Sequence, residues 1–188
     1  MTEPLFEIRT PRLRVRSWRD EDFESYAAMN ADPRVMEYYP GVLSREESQA
    51  RFALGQARMA EQGYGFWAVE EIGGAPWIGL VGLANPDFSA AFLPAVEVGW
   101  RLAAPHWGQG YATEAARAVL AYGFERLALS EIVAFTVPAN VRSRRVMDKL
   151  GMRYSPDEAF LHPKIPDGHP LQPHVLYRLP RADFQPAS

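Results

Sequence analysis

The sequence predicts a single α/β or α+β domain built on a mixed sheet. Apolar residues alternate over 13–18 with the period of a strand. They recur at 112, 116, 119, 120, 123 and 127 with the period of an amphipathic helix. The elements also follow in the order strand, two helices, a run of strands, then helix, strand, helix, strand. A chain of 188 residues is long enough for one compact core and short for two. It shows no internal repeat or linker, so one domain is expected over 1–188.

Each element has a local reason. "RLRVRSW" supplies the first strand. In "RDEDFESYAAMN", Asp20 is a candidate N-cap, and Phe23, Tyr26 and Met29 or Asn30 share one helical face. In "LSREESQARFALGQARMAEQG", Ser44 and Glu47 have capping-box spacing and Gly63 is a stop signal. "GFWAVEE" and "WIGLVGLANP" flank the turn-like "IGGAP" and predict a hairpin. "AVEVGWRL" is a further strand, "TEAARAVLAYGFERLAL" a helix, and "EIVAFTV" a strand. "NVRSRRVMDKLG" is a short helix ending at Gly151, and "HVLYRL" the last strand. The proline-rich "SPDEAFLHPKIPDGHPLQP" is expected to be a structured loop.

Composition narrows the classes. Hydrophobic residues make up 47% and charged residues 23%, as in ordinary globular chains. A net charge of -3 speaks against a broad basic nucleic-acid surface. The absence of cysteine rules out disulfides, thiolate metal sites and a cysteine nucleophile. The opening "MTEPLFEIRTPRLRVRSW" lacks a leader's apolar run, and no stretch has the length and apolarity of a membrane span. A cytoplasmic protein without membrane or nucleic-acid partners is expected.

The stretch "PHWGQGYATEA" carries the first chemical signal. Gly108 and Gly110 stand just before a helix, whose first N–H groups lack internal acceptors and sit at its positive dipole end. Glycines there let an anion approach the amides. A Walker loop would need Lys and Ser or Thr where Tyr111 and Ala112 stand. A dinucleotide fingerprint would need glycine where Thr113 stands. A nucleotide-binding enzyme is thereby disfavoured. A tight strand–helix connection without a ligand is the bland alternative.

The wider stretch "VEVGWRLAAPHWGQGYATEAARAVLAYGFERLAL", followed by "TVPANVRSRRVMDKLGM", resembles the GNAT superfamily of acyl-CoA N-acyltransferases. It is most similar to the branch of the ribosomal-protein N-terminal acetyltransferases RimJ and RimL. "TPRLRVRSWRDEDFESY" and the hairpin strands fit the same branch, so the likeness runs over roughly residues 8–180. The resemblance implies a mostly antiparallel, twisted sheet flanked by helices, with the fourth and fifth strands splayed apart. It implies acetyl-CoA as cosubstrate and no metal. Gly108, Gln109, Gly110, Tyr111, Ala112 and Thr113 would hold the pyrophosphate, with Trp107 standing where the family usually has Arg or Gln. The backbone of Trp100, Arg101 and Leu102 would pair with pantetheine, and Asn140 would hydrogen-bond it. Asn140 also suits the N-cap of the helix beginning at Val141. Among Arg142, Arg144, Arg145 and Lys149, one or two are placed to approach phosphates, with Arg145 the candidate. Otherwise they form a solvated basic face.

Acetyl transfer to an amine must remove the amine's proton and neutralise the leaving thiolate. Glu97, in "AVEVGW", is the candidate base, since a lone glutamate in an apolar strand is costly unless used or paired. An outward-facing strand residue is the alternative. The family commonly has Tyr as the acid where this chain has Met147, so Ser143 is the candidate donor and also a cofactor contact. His162, His169 and His174 lie in the proline-rich segment, without metal-ligand spacing. One of them is a second candidate for taking the substrate's proton. Tyr38, Tyr39, Phe66 and Trp67 are candidate walls of the acceptor pocket. The implied activity is direct transfer in a ternary complex to a primary amine, either a peptide N-terminus or a small molecule. A non-catalytic acyl-CoA sensor is the alternative, resting on Met147. The exposed sheet edges of such folds leave a homodimer open.

Overall fold

The computed structural model of the chain describes residues 6–186. Residues 1–5, the start of the stretch read for a leader, lie outside the described residues. Eight strands form one sheet in the order β1-β2-β3-β4-β5-β6-β8-β7. They are β1 Glu7–Arg9, β2 Leu13–Arg16, β3 Phe66–Glu71, β4 Gly79–Ala84, β5 Glu97–Leu102, β6 Glu131–Thr136, β7 Arg153–Leu161 and β8 Pro173–Pro180. The helices are α1 Asp22–Ala31, α2 Arg45–Gln62, α3 Tyr111–Glu125 and α4 Val141–Lys149. Every pairing is antiparallel except that of β5 with β6.

That exception positions the site. β5 and β6 are in register only at Glu97 and Val133, with one adjoining bond from Val133 N–H to the carbonyl of Val96 at 2.9 Å. Beyond that point the strands diverge, as the splay of the fourth and fifth predicted strands required.

The two sheet faces bury different sets of residues. One packs beneath α3, whose Ala115, Ala116, Val119, Leu120 and Phe124 are buried against Val15, Val81, Val98 and Ile132. Each large side chain buried there contributes about 1.5–3 kcal/mol of apolar transfer. The other face carries α1 and α2, with Phe23, Tyr26 and Phe52 over Ala68, Trp77 and Leu80. Both capping-box hydrogen bonds of Ser44 and Glu47 form, and Gly63 closes α2 in the left-handed region at φ 76°. At the entry of α1 the expected Asp20 side-chain cap does not form: the N-cap residue is Glu21, without a side-chain cap bond. The Asp22 carboxylate accepts from Arg19 N–H at 2.8 Å, while both its oxygens bind the Arg16 guanidinium at 2.8 Å. Arg16 also donates to Glu70 and to the carbonyl of Pro76, tying β2, α1, β3 and the following turn together.

Two strands depart from expectation. β1 is only three residues long, too short for a periodic signal, and forms through pairing with β2. Of the segment expected as a loop from Ser155 onward, 155–161 instead belong to β7, an edge strand whose register slips between Ser155 and Phe160, while 162–172 form the expected loop. An edge strand with such an irregularity tolerates Pro156, because one side of it has no ladder to satisfy. The helix predicted over 113–129 starts earlier, at Tyr111, and ends at Glu125. No described helix is long and apolar enough to cross a membrane.

Candidate active site

The site forms where the sheet opens. Two clefts, of about 300 Å³ on the α3–α4 side and about 390 Å³ on the α1–α2 side, share Tyr38, Tyr39, Trp100, Arg101, Asn140 and Ser143. They therefore meet through the gap between β5 and α4.

The first cleft carries the glycine loop. Gly108 and Gly110 have φ of 75° and 83°, a conformation in which any other residue is strained. Gly110 is the residue before α3 and offers no side-chain cap. The bond from Glu114 N–H to the Gly110 carbonyl, at 3.0 Å, comes after the N–H groups of Tyr111, Ala112 and Thr113, which no described group accepts. A Cβ at Gly108 would meet no atom within 4 Å, and Gly108 and Gly110 through Thr113 line the open cleft. Free amides, a helix dipole and an empty approach suit a diphosphate. Arg145 and Lys149 line the same cleft, and neither has an ion-pair partner among the described residues. Arg142 is held by Glu37 at 2.7 Å and lies over the Trp107 ring. Arg144 turns elsewhere, donating to the Tyr177 hydroxyl and the Pro138 carbonyl.

The remaining expected cofactor contacts are distributed unevenly. Ala112, Thr113, Trp100, Leu102 and Asn140 line the first cleft. The Leu102 carbonyl already accepts from Trp107 Nε1–H at 2.8 Å. Gln109 does not line the cleft, and its carbonyl accepts from Arg12 at 2.9 Å. Tyr111 lends its backbone, because its phenol is buried and donates to Glu71. Asn140 caps α4 by accepting from Ser143 N–H at 3.2 Å and donates to Thr136 Oγ1.

The second cleft holds Glu97, its only carboxylate among the described residues. Glu97 is half-buried at the wall of this cleft, with no described hydrogen-bond or ion-pair partner. Burial alone raises its pKa to about 8. The walls are aromatic and include Tyr26, Phe52, Phe66 and Phe135. The Ser143 hydroxyl bonds to no described residue and faces the junction of the two clefts. Met147, buried, forms part of the second cleft.

Some expected residues lie elsewhere. Trp67 is in the core, stacked on Phe6 at 4.2 Å, and lines neither cleft. His162 and His174 sit with centroids 4.9 Å apart, packed against Phe135 and Phe160 and outside both clefts. Burial lowers the pKa of both. No group of three or more His, Asp or Glu among the described residues is placed to hold a metal ion.

Sequence reasoning missed the clamp behind the loop. Arg12 bonds Glu114 through its backbone and guanidinium while also holding Gln109. Partners about a hundred positions apart leave no local signal. The Arg101 side chain was missed too, although strand alternation puts it on the face of Glu97.

A helix start with unaccepted amides on one side of a split sheet and an isolated carboxylate on the other thus lie within one α+β scaffold. The chain belongs to the acetyltransferase (GNAT) domain family, whose model matches residues 12–153. It is 35% identical over 79% of its length to a Bacillus subtilis protein, YkkB, covering 86% of that relative. It is 32% identical over 92% of its length to the uncharacterized N-acetyltransferase YnaD of the same organism, covering 95% of it. A solved GNAT-family acetyltransferase from Bacillus anthracis superposes with a TM-score of 0.77 at 28% identity, over 94% of this chain and 99% of that one. Mycobacterium smegmatis RimJ, solved with CoA-disulfide, shares the fold at 20% identity and a TM-score of 0.72, over 94% and 86% of the two chains.

Proposed function

We propose that the protein transfers an acetyl group from acetyl-CoA to a primary amine by direct attack in a ternary complex. The observation that carries this is the meeting of the two clefts, with free helix amides on one side and Glu97 on the other. Bound acetyl-CoA supplies the thioester carbonyl. The loop 108–113, with Arg145 and Lys149, binds the phosphates. The open edge of β5 at Trp100 and Arg101, with Asn140, orients the pantetheine arm.

Glu97 takes the proton that the acceptor amine loses as its nitrogen bonds the carbonyl carbon. A carboxylate of raised pKa is a stronger base, better matched to an amine than one at the ordinary value. As the carbon–sulfur bond breaks, the Ser143 hydroxyl donates a hydrogen bond to the sulfur, a task Met147 lacks the proton to perform. The acceptor is a peptide N-terminus, as the RimJ/RimL-like reading implies, or a small amine.

Acetyl-CoA-dependent thiol release tests this, using short peptides of varied first residue beside small amines. Turnover that Glu97→Gln abolishes while CoA still binds is the expected result. CoA binding with no turnover across both sets would turn the reading toward a sensor.

A further inference from the structure

Arg101 is an arginine without an anion. Its Nε is buried and has no hydrogen-bond partner, and the one described contact of the guanidinium nitrogens is Nη1 to the Met36 sulfur at 3.4 Å. No carboxylate among the described residues pairs with it. The guanidinium lies over the Tyr39 ring at 5.1 Å and near the Tyr26 ring at 5.9 Å. A buried donor left unpaired, on a side chain that is always charged, costs free energy unless something satisfies it.

Its place in the fold says which molecule would satisfy it. Glu97, Gly99 and Arg101 alternate on one face of β5, the face toward α1 and α2, and Arg101 also borders the cleft of the glycine loop. Glu97 and Arg101 are separated by about 13 Å along the strand. Gly99 lies between them, and its missing side chain leaves room for the Phe66 ring, since a Cβ there would stand 2.9 Å from Phe66 Cε1. Arg51, from α2, also lines this cleft.

We infer that Arg101 anchors an anionic group of the acceptor, so that the preferred acceptor is an amine that also carries a carboxylate or a phosphonate-like group. The amine end lies toward Glu97 and the anionic end toward Arg101. This assignment rests on the proposed transfer to an amine. A polyamine or aminoglycoside, cationic throughout, would meet two arginines and a single carboxylate. A planar guanidinium with several free donors suits a carboxylate bound through two oxygens.

The test uses matched pairs: α-, β- and γ-amino acids, each against its own carboxamide, with aminomethylphosphonate as the phosphorus arm. Thiol release and calorimetric binding in the presence of CoA are both measured. The wild type should favour acid over amide by about ten- to hundredfold. Arg101→Met should bring that ratio close to one, and Arg101→Lys should leave it between. A ratio taken within one variant does not depend on how much of that variant is folded.

Amides that perform as well as acids, or a ratio unchanged in Arg101→Met, would overturn the anion site while transfer to amines stands. A raised KM for acetyl-CoA in Arg101→Met with the ratio unchanged would overturn it in favour of a cofactor role. Acid-dependent binding without thiol release would support the anion site and remove transfer to these amines. Binding that favours no acid over its amide would overturn the anion site whatever the turnover.

Discussion

Glu97 faces Val133 across the single register pair that joins β5 to β6, and it is also the one carboxylate lining the cleft beyond that pair. The residue at which the sheet begins to open is thus the residue proposed above to take the proton. Its isolation raises its pKa to about 8, and two pH dependences follow. Turnover should rise as pH passes through about 8, where the carboxyl loses its proton. Glu97→Gln should lose that limb together with about a hundredfold or more in kcat/KM. Profiles of kcat/KM against pH for the two proteins check this.

The same shift has a consequence for stability with a fixed sign. The folded carboxyl keeps its proton to higher pH than the unfolded one, whose pKa is about 4.3. The contribution of the neutral group is fully present below the unfolded value and is lost as pH rises through about 8. The penalty to the wild type by then is on the order of a few kcal/mol. Glu97→Gln escapes it, so the variant should match the wild type at pH 4 and melt at a higher temperature at pH 9. Thermal unfolding at both pH values reads this directly.

Ser143 offers a test of the proposed donor. Its backbone N–H is committed to the α4 cap, whereas its hydroxyl is free at the junction of the clefts. Ser143→Ala keeps the cap and removes the donor. We expect kcat to fall by about tenfold or more, with CoA affinity and melting temperature nearly unchanged. A kcat equal to that of the wild type would return the task of neutralising the thiolate to solvent.

Much of this arrangement is legible in the chain because its signals are local. The capping box at Ser44 and Glu47, the paired glycines before α3 and the Asn140 cap each lie within a few residues, and all form as expected. β1 and β7 are not legible in the same way. Their pairing partners supply the order, and prolines in and after β7 mimic a loop. Trp67 and Phe66 are neighbours in sequence, but strand alternation sends one into the core and the other into the cleft. The Arg101 side chain follows the same alternation, but its lack of a partner is a fact of three dimensions alone.

The entry of α1 should be a weak point under substitution. Arg16 and Asp22 are both buried and joined by two bonds of 2.8 Å. Asp22→Ala leaves the guanidinium with Glu70 and removes the acceptor of Arg19 N–H. A loss of about 3 kcal/mol is expected, since a buried charge loses its partner. Replacing both residues with apolar ones should cost less than the single change. Denaturant unfolding of the two variants checks both the size and the order.

The glycine loop permits a test in which backbone strain and ligand contact come apart. Gly108 at φ 75° and Gly73 at φ 76° are both in the left-handed region, and a Cβ at either would meet nothing within 4 Å. Alanine at either position should therefore cost the same strain, about 1–2 kcal/mol. Gly73 sits in the turn between β3 and β4 and lines neither cleft, whereas Gly108 lines the first. Gly73→Ala should lower the melting temperature and leave the KM for acetyl-CoA unchanged. Gly108→Ala should lower the melting temperature by a similar amount and raise that KM about tenfold or more, because its methyl group enters the space over the free amides. Equal KM values in the two variants would mean that the glycines serve the turn alone. A rise confined to Gly108→Ala would assign them to the ligand.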